Sequence, residues 1–109
     1  MPVSDGYREF VIEQLSTIEP VTRRRMFGGV GIYAHGLFFA VISDDTLYFK
    51  VDAQNQPDYE AARQQPFKPM ESEKPMRYYS VPISVIEDEE RLREWMGKAV
   101  KVAERAKRK

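Results

Sequence analysis

The chain has 109 residues, with 17 basic and 17 acidic side chains, one histidine and no cysteine. This length suits one domain, and a hydrophobic content of 42% is typical of a globular protein rather than a disordered one. The missing cysteine excludes disulfides, thiolate nucleophiles and cysteine-based zinc sites. The formal net charge of zero excludes a global electrostatic attraction to nucleic acid.

The N-terminus has neither a basic region nor a long apolar run, so no secretory signal is visible. No apolar stretch reaches the ~18 residues that a membrane span needs. We therefore expect a cytoplasmic protein without a membrane partner. We also expect a single domain over residues 1–109, ending in a basic helical tail from about residue 98. Basic residues collect at helix C-termini because the helix dipole favours them there, which explains the tail without a phosphate ligand.

A first helix is predicted from Ser4 or Asp5, either of which can cap it, to about Ile18. Its apolar residues recur at three- and four-residue steps and form one stripe. This stripe consists of Tyr7, Phe10, Val11, Leu15 and Ile18. Glu19 precedes Pro20, and the residue before a proline is pushed out of the helical region, so the helix ends there.

Between residues 21 and 51 the apolar period becomes that of strands. Four strands are predicted, over Val21–Phe27, Val30–Ala34, Leu37–Ile42 and Thr46–Val51. The connections between them are short, so neighbouring strands must be antiparallel. The third strand is apolar on both faces and is therefore expected to lie inside the sheet.

The C-terminal half continues with a helix, a strand and a long helix. These elements are predicted over Asn55–Gln65, over Met76–Pro82 with a short candidate partner strand near Phe67–Met70, and from about Asp88 towards Lys107. The buried stripe predicted for the last helix is Leu92, Trp95, Met96, Ala99, Ala103 and Ala106. The order α-β-β-β-β-α-β-α predicts a two-layer α+β fold, an antiparallel sheet with helices packed mainly on one face.

Three consecutive arginines in the first strand are the most unusual feature of the chain. Strand alternation places Arg23 and Arg25 on one face of the sheet and Arg24 on the other. At least one arginine is therefore expected to face packed structure and to need a partner. We favour internal ion pairs as the explanation. The candidate partners are Glu9, Glu13 and Glu60.

The alternative is a strip on the surface that binds a partner or an anion. The candidate residues for such a strip are Arg24, Arg25, Lys50 and Tyr78. Tyr78 and Tyr79 could stack on nucleobases, but in such a pair one tyrosine more often packs in the core while the other lies on the surface with its hydroxyl group in water.

A glycine-rich motif follows the arginines, and we interpret it as structural. It consists of Met26, Phe27, Gly28, Gly29 and Gly31. Residues 29–34 match the loose dinucleotide pattern G-x-G-x-x-A, but a nucleotide site needs a helix after the glycines and a strand is predicted here. A bulge or a closely packed strand pair is the better explanation, and we expect no cofactor.

Catalytic and metal-binding patterns are missing from the sequence. His35 is the sole histidine and cysteine is absent, which leaves too few ligands for a zinc site. Asp44 and Asp45 are neighbours in a predicted turn, where aspartate accepts local backbone hydrogen bonds. We therefore expect no metal, no catalytic residue and no enzyme activity.

Longer motifs identify a family. R-R-M-F-G-G-x-G-I-Y, from Arg24 to Tyr33, is followed by F-F-A-V-I-S-D-D-T-L-Y-F-K-V-D, and the pattern continues through Pro66-Phe67, Tyr78-Tyr79-Ser80-Val81-Pro82 and Glu87-Asp88. Together these motifs resemble the N-terminal domain of the TfoX/Sxy family over nearly the whole chain. The resemblance implies a regulator of natural DNA uptake (transformation), which switches on competence genes through transcription machinery that includes the cyclic-AMP receptor protein. Larger members carry a second, C-terminal helical domain, so we expect this chain to be a stand-alone N-terminal domain.

Three functional hypotheses follow. The first is a non-catalytic regulatory protein that acts by protein–protein contact in transcription regulation. The second is a small nucleic-acid-binding protein that uses the strip from Arg23 to Arg25 and the basic tail. The third is a small-ligand binder or an enzyme at the glycine-rich turn. We expect a protein partner rather than free duplex DNA, because specific DNA binders usually present a strongly basic face; a homodimer is left open.

Overall fold

The computed structural model describes residues 5–26, 29–67 and 76–107. Its helices and strands in chain order are α1 (Asp5–Ser16), β1 (Thr22–Met26), β2 (Gly29–Ala34), β3 (Leu37–Ser43), β4 (Thr46–Lys50), α2 (Gln56–Ala61), β5 (Pro66–Phe67), β6 (Met76–Ser80), α3 (Ile83–Ile86) and α4 (Glu89–Lys107). The predicted α+β class is confirmed.

The strands form one antiparallel sheet in the order β1-β2-β3-β4-β6-β5. β3 lies between β2 and β4, as expected from its apolar residues on both faces. β1 and β5 lie at the two edges. The edge strand β1 carries the three arginines.

The two hairpins beside β3 turn through residues with positive φ. His35 and Gly36 have φ values of 54° and 76°, and Asp44 and Asp45 have values of 53° and 54°. Two-residue loops with positive φ match the right-handed twist of the flanking strands, and aspartate tolerates this conformation better than most residues. The acidic pair therefore serves the turn.

The core lies between one face of the sheet and helices α1 and α4. Its fully buried members include Val11 and Leu15 from α1 and Met96 from α4. In α4 the predicted stripe is confirmed, except that Ala106 is exposed and Val102 is buried. In α1 the prediction for Phe10 is wrong, since 40% of this residue is exposed.

A smaller cluster occupies the other face of the sheet. Val41, Phe67 and Tyr78 are buried there, and Phe38 and Tyr48 pack against them. The cluster draws on β3, β4, β5 and β6, so it explains why β3 is apolar on both faces.

Three elements differ from the prediction. α2 is shorter than Asn55–Gln65, because Arg63 takes a φ of 58°, which a right-handed helix cannot include. A short helix, α3, follows Pro82 and was not predicted. The short strand begins at Pro66 and pairs with β6, whereas Met70, the predicted end of this strand, lies outside the described residues.

Candidate partner-binding site

The register of β1 assigns each arginine to a face of the sheet. Arg23 pairs with Ile32 and Arg25 with Val30, and both partners belong to the main core. Directly opposed residues of antiparallel strands share a face, so Arg23 and Arg25 lie on the helix side. Arg24 pairs with Gly31 and lies on the other side, as strand alternation predicts.

All three arginines are exposed, so none is buried against packed structure, although Arg23 lies on the helix side and meets a carboxylate of α1. The physical reason is the position of β1, since a strand at the edge of a sheet leaves long side chains on both faces free to reach water. Sequence alternation gives the face of a residue but not the position of its strand in the sheet.

One of the predicted ion pairs forms. Arg23 Nη1 lies 2.8 Å from Glu9 Oε2 on α1, and the hydrogen bond from Arg23 and its positive charge lower the pKa of Glu9. Glu60 instead accepts a hydrogen bond from Gln56. Arg24 and Arg25 make no ion pair or hydrogen bond through their side chains within the described parts of the chain.

A shallow cleft of roughly 210 Å³ runs along this edge. Its lining is Arg8, Arg23, Arg24, Arg25 and Val30. Arg8 comes from α1, and its Nε lies 3.5 Å from the same Glu9 carboxylate that binds Arg23. No pattern in the sequence indicated Arg8, because only the packing of α1 beside β1 brings it to this edge. We call Arg8, Arg23, Arg24 and Arg25 the arginine edge.

Lys50 and Tyr78, the other two candidates, lie together but away from the arginine edge. They are register partners on β4 and β6, and Lys50 Nζ lies 5.1 Å from the centroid of the Tyr78 ring. Burial lowers the pKa of Lys50 and raises that of Tyr78. In the sheet, β4 is the third strand from β1, which corresponds to about 14 Å at the usual strand spacing. Arg25 also lies on the opposite face of the sheet from Lys50 and Tyr78. The four candidates therefore do not form one strip.

Tyr78 takes the packing role rather than the stacking role. Only 2% of the residue is exposed, and its ring lies 5.5 Å from that of Phe38, centroid to centroid. A ring enclosed in this way cannot stack on a nucleobase without rearrangement of the sheet face.

The glycine motif holds β2 close to β3. A Cβ atom on Gly29 would collide with the backbone carbonyl oxygen of Ile42, so the closely packed strand pair predicted for the motif is present at this position. Gly31 is buried in β2, between Arg24 and Val41 in the register. Met26 ends β1, and Phe27 and Gly28 lie outside the described residues.

Part of the basic tail is used inside the molecule. Arg105 donates from Nε and Nη2 to Asp52 Oδ2 at 3.0 and 2.8 Å, and Lys98 Nζ donates to Asp58 Oδ2 at 2.9 Å. These contacts join α4 to the loop after β4 and to α2. They reduce the charge that the described part of the tail can offer to a phosphate backbone; Arg108 and Lys109 lie outside the described residues.

The described residues contain neither a metal-binding cluster nor a membrane-spanning helix. Across residues 5–26, 29–67 and 76–107, no group of three or more histidine, cysteine, aspartate or glutamate side chains could hold a metal ion. None of the helices described in these ranges is long and apolar enough to span a bilayer. His35, the sole histidine, lies 3.3 Å from Glu19 at an exposed turn.

A comparison with models of known protein families identifies the family of this chain. The model of the TfoX N-terminal domain matches residues 13–103. The chain belongs to this family. A search of curated proteins found no match. The part matched to the TfoX N-terminal domain contains the complete described sheet and Arg23, Arg24 and Arg25, while Arg8 precedes it.

Proposed function

We propose that this TfoX N-terminal domain is a non-catalytic, cytoplasmic regulatory module that acts by contact with a protein of the transcription machinery, in the control of competence for DNA uptake. The family match relates the chain to TfoX-type proteins, and the regulatory role is the one that the TfoX/Sxy resemblance implies. The arginine edge is the proposed contact surface.

The observation that carries the proposal is the state of Arg24 and Arg25. Both side chains are exposed on an edge strand and have no carboxylate partner among the described residues. Arginine is enriched in protein interfaces and in their energetic centres, because its planar guanidinium group binds carboxylates through two hydrogen bonds. A partner with carboxylates at matching positions would complete both ion pairs.

Free duplex DNA fits this surface less well. Arg24 and Arg25 lie on opposite faces of the sheet, and both line the cleft at its edge, so they form a short cluster of charge rather than the strongly basic face that specific DNA binders usually present. In α4, Lys98 and Arg105 are already held by aspartates. The remaining exposed basic residues support only weak contact of the salt-dependent kind.

Affinity capture from the host with and without nuclease tests the proposal. The immobilised wild-type protein should retain a transcription protein, identified by mass spectrometry, in amounts that nuclease does not change. Arg24→Glu and Arg25→Glu should each lose it. Arg91→Glu is the matched control, because Arg91 is exposed on α4 and its side chain has no described partner.

The alternatives predict different results. Capture that nuclease abolishes would support a nucleic-acid-binding protein instead. Capture that survives both substitutions on β1 would place the contact elsewhere on the domain.

A further inference from the structure

One edge of β1 has no hydrogen-bonded neighbour among the described strands. In an antiparallel pair, alternate residues direct their backbone N–H and C=O groups away from the partner strand. The sheet order places no described strand beyond β1, and no backbone hydrogen bond from a described turn or loop reaches Thr22–Met26. Such an edge can accept a further strand from another chain.

The two free arginines dictate what an added strand must carry. Residues directly opposite each other on neighbouring strands share a face and interact through their side chains. Arg24 and Arg25 lie on opposite faces, so the residues opposite them must also point to opposite faces. Adjacent residues of a strand meet this condition. Two acidic residues next to each other in sequence would therefore pair with both arginines at once.

Two other occupants fit the edge poorly. A second copy of this chain, paired through β1 itself, would place arginines opposite arginines, and like charges directly opposite each other destabilise a strand pair. A nucleic acid offers no ladder of amide and carbonyl groups to the edge. The arginines thus protect β1 from self-association while they leave it open to an acidic strand.

We propose that an extended segment of a protein partner, carrying two adjacent acidic residues, adds to β1 as an outer strand of the sheet. One carboxylate binds Arg24 on the face opposite the helices, and the other binds Arg25 on the helix face. Both arginines line the cleft that Arg8 and Arg23 also line. This inference rests on the proposed function, in which the arginine edge contacts a protein, and adds the chemistry and geometry of the partner segment.

Two peptides of identical composition test the inference. In the first, Ser-Thr-Val-Glu-Glu-Val-Thr-Ser, the acids are adjacent and point to opposite faces of a strand. In the second, Ser-Thr-Glu-Val-Glu-Val-Thr-Ser, they alternate and point to one face. Both are titrated into the full chain, labelled with ¹⁵N, at about physiological salt, and amide chemical shifts report affinity and position.

The adjacent-acid peptide should bind about two- to fivefold more tightly than its isomer, because its acids reach both Arg24 and Arg25. The acids of the isomer reach at best Arg25 and Arg23, and Arg23 is already paired with Glu9. The shift changes should be confined to β1, β2 and neighbouring amides. A version N-methylated at alternate positions on its pairing side should lose binding. Arg24→Glu and Arg25→Glu should each weaken the first peptide about fivefold or more, while Arg91→Glu leaves its affinity unchanged and all variants keep the dispersed spectrum of the folded protein.

The outcomes separate this inference from the proposed function. Equal binding of the two isomers, or unchanged binding after N-methylation, would overturn strand addition. If partner capture still depends on Arg24 and Arg25, the proposed function survives that result. Tighter binding of an oligonucleotide of equal charge, lost in the same variants, would overturn both, and a dimer dispersed by Arg24→Glu would show that the edge binds a second copy.

Discussion

The three arginines of β1 differ in whether a carboxylate of the domain itself lies within reach of the side chain. Arg23 has Glu9 at 2.8 Å and helps to attach α1 to the sheet. Arg24 and Arg25, its neighbours in sequence, have no such partner among the described residues. The same residue type thus serves the fold at one position and is available to a partner at the next two.

Gly29 gives the sharpest stability prediction at this scale. Gly29→Ala should destabilise the domain by about 1–3 kcal/mol, because the added Cβ would be forced against the Ile42 carbonyl group and the strands would have to separate. Urea denaturation measures the change. Gly97→Ala on α4 is the control, since a Cβ there meets nothing within 4 Å, and it should stabilise the helix by up to about 1 kcal/mol. Equal effects at the two positions would contradict the close approach of β2 to β3.

For Tyr59, in contrast to Gly29, we expect a substitution that does not destabilise the domain. Its side chain is buried, and its hydroxyl group has no hydrogen-bond partner among the described residues; burial raises the pKa of this group. Tyr59→Phe should leave stability unchanged or raise it by about 1 kcal/mol, because it removes a polar group whose desolvation is not compensated. A loss of more than about 1 kcal/mol in thermal denaturation would show that the hydroxyl is hydrogen-bonded in solution.

At the scale of elements, α4 is held at both ends by different means. Its first turns pack Leu92 and Trp95 into the core, while its C-terminal part is attached to the loop after β4 through Arg105 and Asp52. Burial of Asp52 opposes its ionisation, but hydrogen bonds from Arg105 and from the amides of Gln54 and Asn55, together with the charge of Arg105, keep its pKa below the ordinary value.

Stability should therefore depend on pH through this pair. A carboxyl group with a lowered pKa in the folded state stabilises the fold above its unfolded pKa, about 3.9, and loses that contribution as pH falls through the folded value. Arg105→Gln should cost about 1 kcal/mol at neutral pH, and the difference from wild type should shrink in denaturation curves taken at successively lower pH. Lys101→Gln, the same charge change on an exposed position of α4, should show no such trend. A difference that is constant with pH would contradict the role of Asp52.

The sequence predicted the helices and strands better than it predicted the exposure of the arginine side chains. Strand period and short turns were sufficient for β1 to β4 and for the interior place of β3. α3 was missed because four residues are too few for a helical period to show. The exposure of Arg24 and Arg25 could not be derived, because it depends on strand order, and strand order depends on tertiary packing.

At the scale of the whole molecule, the two faces of the sheet are covered differently and the charge is unevenly placed. Helices α1 and α4 cover one face, and an aromatic cluster lies on the other. Arg24 and Arg25, which have no ion-pair partner among the described residues, lie at one edge of the sheet in a chain with no net charge. Under the proposed function, this edge recognises a local acidic partner rather than a polyanion.

Site-specific photo-crosslinking in the native host is the decisive test of whether β1 contacts a protein. A benzoylphenylalanine residue replaces Thr22, which is exposed on β1, or Arg91, which is exposed on α4. We expect a discrete protein adduct from position 22 that resists nuclease, is absent from position 91 and disappears when Arg24 and Arg25 are both changed to glutamate. Equal adducts from both positions, or an adduct to nucleic acid alone, would contradict it.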